Sequence, residues 1–144
     1  MFIGEYSHSI DSKKRLAVPA KFRNELKNKI VVTRGLDKCL FIYPMKVWGD
    51  LANKLGNLPV GESGTRSFTR LMLAGAVDVE VDKQGRILIP DYLKKYAGFQ
   101  KNVVIAGLYN RLEIWDEKKW NEYKKNAEKN SDEIAEQLGK LGVY

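Results

Sequence analysis

The sequence predicts an α+β fold in which two tandem β-rich repeats interlock in one pseudo-twofold, barrel-like sheet with helices at its periphery. Three observations lead to this prediction. One motif occurs twice in the 144 residues, at a spacing of about 71 positions. Short segments in which apolar and polar side chains alternate, as in half-buried strands, recur in both copies. Four short strands are too few to form an independent core, so the two copies are expected to share one.

The internal repeat is defined by identical residues at equivalent positions. Residues 2–23 align with residues 73–94 at an offset of 71, and residues 35–48 align with residues 107–120 at an offset of 72. Some positions that differ remain apolar in both copies, namely Ile10 and Val81, Leu16 and Ile87, Val18 and Ile89, and Phe22 and Leu93, so the hydrophobic phase is preserved. The identical pairs are Gly4 and Gly75, Asp11 and Asp82, Arg15 and Arg86, Pro19 and Pro90, Gly35 and Gly107, Leu36 and Leu108, Leu40 and Leu112, Ile42 and Ile114, Lys46 and Lys118, and Trp48 and Trp120.

The repeat also predicts how the chain is divided. We expect a first repeat in residues 1–60, a linker and connecting helix in 61–72, a second repeat in 73–125 and a C-terminal helix in 126–144. Pro59 and the glycines at positions 61 and 64 mark the linker, since both residue types interrupt regular structure.

In the first copy, apolar alternation and the prolines place four strands and two helices. Proline is favoured in the first turn of a helix, so Pro19 and Pro44 precede helices. The predicted strands cover about 4–10, 15–18, 30–34 and 39–43, and the helices cover about 19–27 and 45–55. A further helix at about 65–73 connects the copies.

The second copy repeats this plan. Alternating valines predict a strand over residues 77–81, and Asp82 to Gly85 form the turn of a short hairpin, because Asp accepts backbone hydrogen bonds and Gly tolerates positive φ. A strand at 86–89 then leads into a helix over 90–97 that Gly98 ends. Strands at 103–106 and 111–115, joined by a turn at 107–110, precede an amphipathic helix that opens at Asp116.

A last helix is predicted at about 132–141, where Ile134, Leu138 and Leu141 form an apolar stripe. Two interpretations of this stripe stay open. It packs onto its own domain, or it is a contact between subunits; the spacing of the residues does not separate the two.

Composition points to an anionic partner. The net charge is +7, and the basic excess is concentrated in the first 60 residues. There is no secretory leader pattern and no long apolar run, so we expect a cytoplasmic protein without a membrane partner. The single Cys39 and the single His8 provide no metal site or nucleophile pair, and no catalytic motif occurs. We therefore expect no enzyme activity, no cofactor, no metal and no small-molecule substrate.

The candidate site is the pair of turns that the repeat duplicates. Each starts with an aspartate, Asp11 or Asp82, and ends with an arginine, Arg15 or Arg86. In the plain structural interpretation, the aspartate closes the turn and the arginine is a solvated charge. Duplication favours function, because symmetry places two such loops in a regular array that suits DNA. The predicted DNA contacts are Lys13, Lys14, Arg15, Lys83 and Arg86, and the turn-forming residues are Asp11, Asp82 and Gly85.

These residues resemble the MraZ family along nearly the whole chain. The resemblance implies tandem AbrB-like domains, ring-shaped homo-oligomers, association with the nucleoid, and transcriptional control at the promoter of the division and cell-wall gene cluster through repeats in double-stranded DNA. The features that resemble the family are Met1-Phe2 and Gly4, the run from Asp11 to Pro19, Tyr43-Pro44 with Trp48, Arg70-Leu71 before Gly75, the run from Asp82 to Pro90, Ala97-Gly98, and Leu112 to Asp116.

One position departs from the family pattern. Lys14 stands where the family usually has the glycine that Gly85 provides in the second turn, so the first turn needs another way to adopt its geometry. The alternative function is a protein-interaction or antitoxin-like scaffold with only nonspecific affinity for nucleic acid. RNA is a weaker alternative partner, since no aromatic RNA-binding motif is present. The aromatic residues that recur in the repeats, Tyr43, Trp48, Trp115 and Trp120, favour core packing over base stacking.

Overall fold

The protein has an α+β fold with a mainly antiparallel sheet, as predicted. The computed structural model describes residues 1–143, which form eight strands and six α-helices. The strands are β1 (Phe2–Ser9), β2 (Arg15–Ala17), β3 (Lys29–Arg34), β4 (Leu40–Pro44), β5 (Val77–Glu80), β6 (Arg86–Leu88), β7 (Asn102–Tyr109) and β8 (Arg111–Asp116). The helices are α1 (Ala20–Leu26), α2 (Met45–Gly56), α3 (Ser63–Thr69), α4 (Asp91–Ala97), α5 (Glu117–Lys129) and α6 (Ser131–Lys140).

The two repeats exchange their first strands. Six strands form one antiparallel sheet in the order β1-β7-β8-β4-β3-β5, so β1 of the first repeat pairs with the second repeat and β5 of the second pairs with the first. Replacing each strand by its repeat equivalent reverses this order, which is the signature of a pseudo-twofold axis. The axis passes between β4 and β8, and also between β2 and β6, which form a separate two-stranded ribbon.

Two details of the predicted sheet are wrong. The sheet is open rather than barrel-like, since β1 and β5 each pair on one side only within residues 1–143. The predicted hairpins also separate beyond their turns: β1 continues in the sheet, whereas β2 leaves it to pair with β6. The reason is burial. Leu16 and Ile87, at the centres of β2 and β6, are 0% and 1% exposed, and pairing across the pseudo-twofold axis places both in the shared core.

The main core lies between one face of the sheet and the layer formed by the ribbon, α1 and α4. It draws on both repeats about equally, so neither repeat has a core of its own. The side chains buried there include Phe2, Leu16, Val18, Phe22, Leu26, Ile30, Val32, Ile42, Ile87, Ile89, Leu93, Ile105, Leu112 and Ile114.

A second core covers the opposite face of the sheet. Tyr43 and Trp115 are buried there, and Trp48 and Trp120 pack against the same cluster, so the prediction that these aromatic residues serve packing is confirmed. The predicted connecting helix is α3, which continues as a π-helical turn at Arg70–Ala74. That turn is fixed to the sheet because the Thr33 hydroxyl donates to the Met72 carbonyl at 2.6 Å.

Most other predicted elements are confirmed with shifted ends. The loop between β7 and β8 is shorter than predicted, because β7 runs to Tyr109, which adopts φ 64° and reverses the chain within two residues. Helix α6 is present, but none of its residues is buried and Ile134 is 40% exposed. The structure therefore leaves this apolar stripe largely exposed instead of burying it against its own domain. No helix within residues 1–143 combines the length and apolar character needed to cross a membrane.

Candidate nucleic-acid interface

Each repeated turn is closed by hydrogen bonds to its aspartate. One carboxylate oxygen of Asp11, Oδ1, accepts the backbone N–H groups of Lys13 and Arg15, both at 2.9 Å. The Asp11 N–H donates to the Arg15 carbonyl at 3.0 Å, which completes the turn. Asp82 makes the same contacts in the second repeat, where its Oδ1 accepts from Gln84 and Arg86 at 2.9 and 2.8 Å.

The second carboxylate oxygen orients the arginine. Asp11 Oδ2 accepts from Arg15 Nε at 2.8 Å, and Asp82 Oδ2 accepts from Arg86 Nε at 2.9 Å. The terminal nitrogens of both guanidinium groups donate to no other residue within 1–143. Each arginine is therefore held by its inner nitrogen while its outer edge, the part that forms a bidentate contact, remains available.

The aspartates are held in the charged form. The backbone N–H of Arg15 is the largest influence that lowers the pKa of Asp11, followed by the side chain of the same arginine, and Arg86 acts in the same way on Asp82. Desolvation opposes this shift, but the net direction is downward for both carboxyl groups. Both therefore carry full charge at neutral pH.

The ribbon places both arginines on one face. In the β2–β6 pair, Arg15 lies opposite Leu88 and Ala17 lies opposite Arg86, whereas the central Leu16 and Ile87 point into the core. The arginines are diagonal neighbours on the same face, at a Cα separation of roughly 7–8 Å. The pairing continues on each side through the Val18 N–H to the Gly85 carbonyl and the Ile89 N–H to the Lys14 carbonyl, at 2.8 and 2.9 Å.

The turns consequently lie at opposite ends of one continuous ribbon. Lys13 and Lys83 are exposed in these turns, so each end of the ribbon has an exposed basic residue in addition to its arginine. The sequence alone predicts the turns as two separate hairpin loops. The structure brings the five predicted basic residues and both aspartates together on the ribbon and its turns.

Comparison with known proteins identifies the family. A family model described as "MraZ protein, putative antitoxin-like" matches residues 1–71 and again residues 72–141. The chain belongs to the MraZ family. Its similarity to members named transcriptional regulator MraZ extends over nearly its whole length. The protein from Halothermothrix orenii is 52% identical over 143 residues, which cover 99% of this chain and 100% of the relative.

Two further MraZ relatives show the same similarity. The protein from Natranaerobius thermophilus is 51% identical over 138 residues, or 96% of both chains. The protein from Acetivibrio thermocellus is 48% identical over 143 residues, or 99% of this chain and 100% of the relative. The two matches to the MraZ model each contain one aspartate turn, so the repeat in the sequence is the repeat of the family.

The two MraZ turns adopt a positive φ at equivalent positions with different residues. Gly85 adopts φ 78° and is buried against the Arg23 side chain, whose Nε donates to the Val18 carbonyl at 2.9 Å. A Cβ at this position would collide with the Arg23 guanidinium group. In the first turn Lys14 adopts φ 64°, and its ammonium group pairs with Asp91 at 2.7 Å. A lysine is therefore accommodated there, but its charge is partly compensated.

Sequence reasoning missed four residues of this surface: Ala17, Arg23, Leu88 and Asp91. Ala17 and Leu88 share a face with the arginines only because β2 pairs with β6. The sequence contains a signal for this pairing. The short strand recurs in both repeats with its arginine and proline, and it is too short for the main sheet. Such a strand beside a pseudo-twofold axis is suited to pair with its own copy. At the positions of Arg23 and Asp91, the other repeat has a different residue, so the duplication did not reveal them.

The contacts of Cys39 and Glu113 indicate a structural role for both residues. Cys39 is fully buried, its Sγ donates to the Leu36 carbonyl at 3.1 Å, and burial strongly raises the pKa of its thiol. The buried Glu113 carboxylate accepts from Arg111 and from the Trp115 indole at 3.0 Å each. Within residues 1–143, no three His, Cys, Asp or Glu side chains are close enough together to hold a metal ion.

Proposed function

We propose that this protein is a sequence-specific transcription regulator that binds double-stranded DNA through the β2–β6 ribbon. The observation that carries the proposal is the pair of aspartate-anchored arginines, Arg15 and Arg86, on one face of an antiparallel ribbon. The major groove of B-DNA admits a two-stranded ribbon, and an arginine fork pairs with O6 and N7 of guanine. The names of the MraZ relatives, transcriptional regulators, support the same function.

The basic residues divide into two roles. Arg15 and Arg86 contact base edges, because their orientation is set by Asp11 and Asp82 before DNA arrives. Lys13 and Lys83 are exposed at the ribbon ends and pair with phosphates, which contributes affinity and its salt dependence.

Lys14 contacts phosphate after its ammonium group leaves Asp91. This exchange costs little, because both side chains of the ion pair are largely exposed, at 45% and 74%.

The family resemblance extends the proposal to the target and the assembly. We infer that the protein is cytoplasmic, associates with the nucleoid and acts at the promoter of the division and cell-wall gene cluster. It binds DNA repeats there as a ring-shaped homo-oligomer. The exposed apolar stripe of α6 is available for such a subunit contact. A ring would present one ribbon per subunit at regular spacing along the DNA.

A second candidate is a protein-interaction or antitoxin-like scaffold. The description of the family model as antitoxin-like favours it, and so does the exposed stripe of α6. This function would make the basic ribbon incidental, with weak and nonspecific affinity for nucleic acid. The two candidates therefore differ in whether the ribbon distinguishes DNA sequences.

The test is binding of the purified protein to the DNA upstream of its own gene and to an unrelated duplex, at two salt concentrations. We expect tighter binding to the upstream DNA, with affinity that falls steeply with salt. The Arg15→Ala/Arg86→Ala variant is expected to lose the preference for upstream DNA while retaining the oligomeric state of the wild type.

A matched control removes the same charge elsewhere. Arg70→Ala/Lys129→Ala deletes two exposed cations outside the ribbon and is expected to keep the preference for upstream DNA. Equal, weak binding of both duplexes that is unchanged in the ribbon variant would overturn the proposal and favour the scaffold.

A further inference from the structure

The basic face of the ribbon contains one large apolar side chain. Leu88 is 53% exposed, lies directly opposite Arg15, and follows Arg86 by two residues on the same face of β6. A leucine in this position contributes nothing to the core, which the neighbouring Ile87 and Ile89 already fill. It has no chemistry for a phosphate contact, but it can make an apolar contact from the face that presents both arginines.

The pseudo-twofold axis makes this leucine asymmetric. It relates Leu88 to Ala17, and Arg86 to Arg15. The two strands of the ribbon therefore each present one arginine, but one strand presents an isobutyl group where the other presents a methyl group. Any contact that depends on the reach of this side chain occurs on one half only.

We propose that Leu88 contacts the C5-methyl group of a thymine in the major groove, next to the base pair that Arg15 contacts; this rests on the proposed function of the ribbon. Thymine is the base that displays a methyl group in that groove, and apolar side chains recognise it. Cross-strand partners have Cβ atoms about 5 Å apart and neighbouring bases are about 3.4 Å apart. Leu88 therefore reaches the adjacent base pair when Arg15 contacts its own.

The asymmetry gives the ribbon a direction on DNA. If only the arginines made base contacts, a pseudo-twofold ribbon would bind a site equally well in either orientation. A thymine contact made by Leu88 and absent at Ala17 favours one orientation. Leu88 is in this sense a determinant of orientation, in addition to the base contacts of the two arginines.

The experiment uses a duplex selected from a random library by the wild-type protein. Each thymine in this duplex is replaced in turn by deoxyuridine, which keeps base pairing and lacks the methyl group. For the wild type we expect one position in each bound repeat at which the replacement raises the Kd about fourfold, the effect of one buried methyl group. In Leu88→Ala this position is expected to become insensitive, with the salt dependence of binding unchanged.

Two further variants sharpen the test. In Ala17→Leu/Leu88→Ala, sensitivity at the same position is expected to be restored, because the pseudo-twofold axis lets this variant bind the same duplex in the opposite orientation. Leu36→Ala, which shortens a leucine of similar exposure outside the ribbon, is expected to behave as the wild type. Circular dichroism checks that each variant is folded.

The outcomes separate this inference from the function on which it rests. Tight, selective binding with no methyl-sensitive position, or with the same position still sensitive in Leu88→Ala, would overturn the role of Leu88 and leave the ribbon as the DNA-binding surface. Failure of the wild type to select any sequence would overturn both.

Discussion

The carboxylates of Asp11 and Asp82 each have two structural roles. One oxygen closes the turn by accepting two backbone N–H groups, and the other fixes the arginine at the end of the turn. The conformation of the loop and the direction of the guanidinium group are therefore set together. The sequence indicated the turn-forming role of the aspartates, because Asp commonly accepts such bonds. It did not indicate that the same residues orient the arginines, since that depends on a turn conformation that brings the arginine side chain beside the aspartate.

This double role predicts a pH dependence of stability. The pKa of both aspartates is lowered below 3.8 in the folded protein, chiefly by backbone N–H donors. A lowered pKa means that the charged form contributes stability at pH values above 3.8, and that this contribution is lost as the pH falls through the folded-state value. Asp11→Asn/Asp82→Asn is therefore expected to melt below the wild type at pH 7, and the difference should shrink as the pH falls below about 4. Thermal melts across this range measure it; a difference that stays constant would contradict the assignment.

At the scale of single elements, local sequence patterns predicted which helices and strands form. Long-range pairing determined which strands are neighbours. Pro90, Gly98 and the apolar positions between them placed α4 correctly, because caps and helical spacing are local signals. The partner of β2 was not predictable in this way. Three residues contain too little pattern to choose between the adjacent β1 and the distant β6, and the burial of Leu16 against the second repeat determines the outcome.

The two turns predict different changes in stability when the residue at positive φ is substituted. Gly85→Ala is expected to destabilise the protein by about 1–3 kcal/mol, since the new Cβ both occupies positive φ and collides with Arg23. Lys14→Gly is expected to change stability by less than about 1 kcal/mol, because relief at φ 64° offsets the lost pairing with Asp91. Chemical denaturation measures both. Equal losses in the two variants would show that the turns do not differ as described.

At the scale of the whole molecule, strand exchange makes two sequence repeats into one folding unit. Each repeat contributes its first strand to the half of the sheet formed by the other, and the ribbon joins them again on the opposite side of the core. The duplication made this shared core predictable, since neither copy has enough strands alone. The open edges of the sheet were not predictable, because closure depends on whether β2 and β6 stay beside β1 and β5.

A shared core predicts a single unfolding transition. Leu16→Ala removes a buried side chain of the first repeat and Ile87→Ala one of the second, and each is expected to destabilise the protein by about 2–5 kcal/mol. Because both side chains lie in the same core, each substitution should shift one common transition rather than a separate one. Thermal unfolding followed by near-UV and far-UV circular dichroism provides the measurement. Two separated transitions in either variant would contradict the interlocked core.

The central claim is that anchored arginine forks on the ribbon distinguish DNA sequences, beyond the attraction that any basic surface exerts. The most direct test is the ratio of affinities for the upstream duplex and an unrelated duplex in Arg15→Lys/Arg86→Lys. This variant keeps both charges but removes the Nε that each aspartate holds and the planar fork that we propose contacts guanine. We predict a ratio near one, with salt dependence close to that of the wild type. A ratio as high as that of the wild type would show that charge alone is sufficient and would contradict the account.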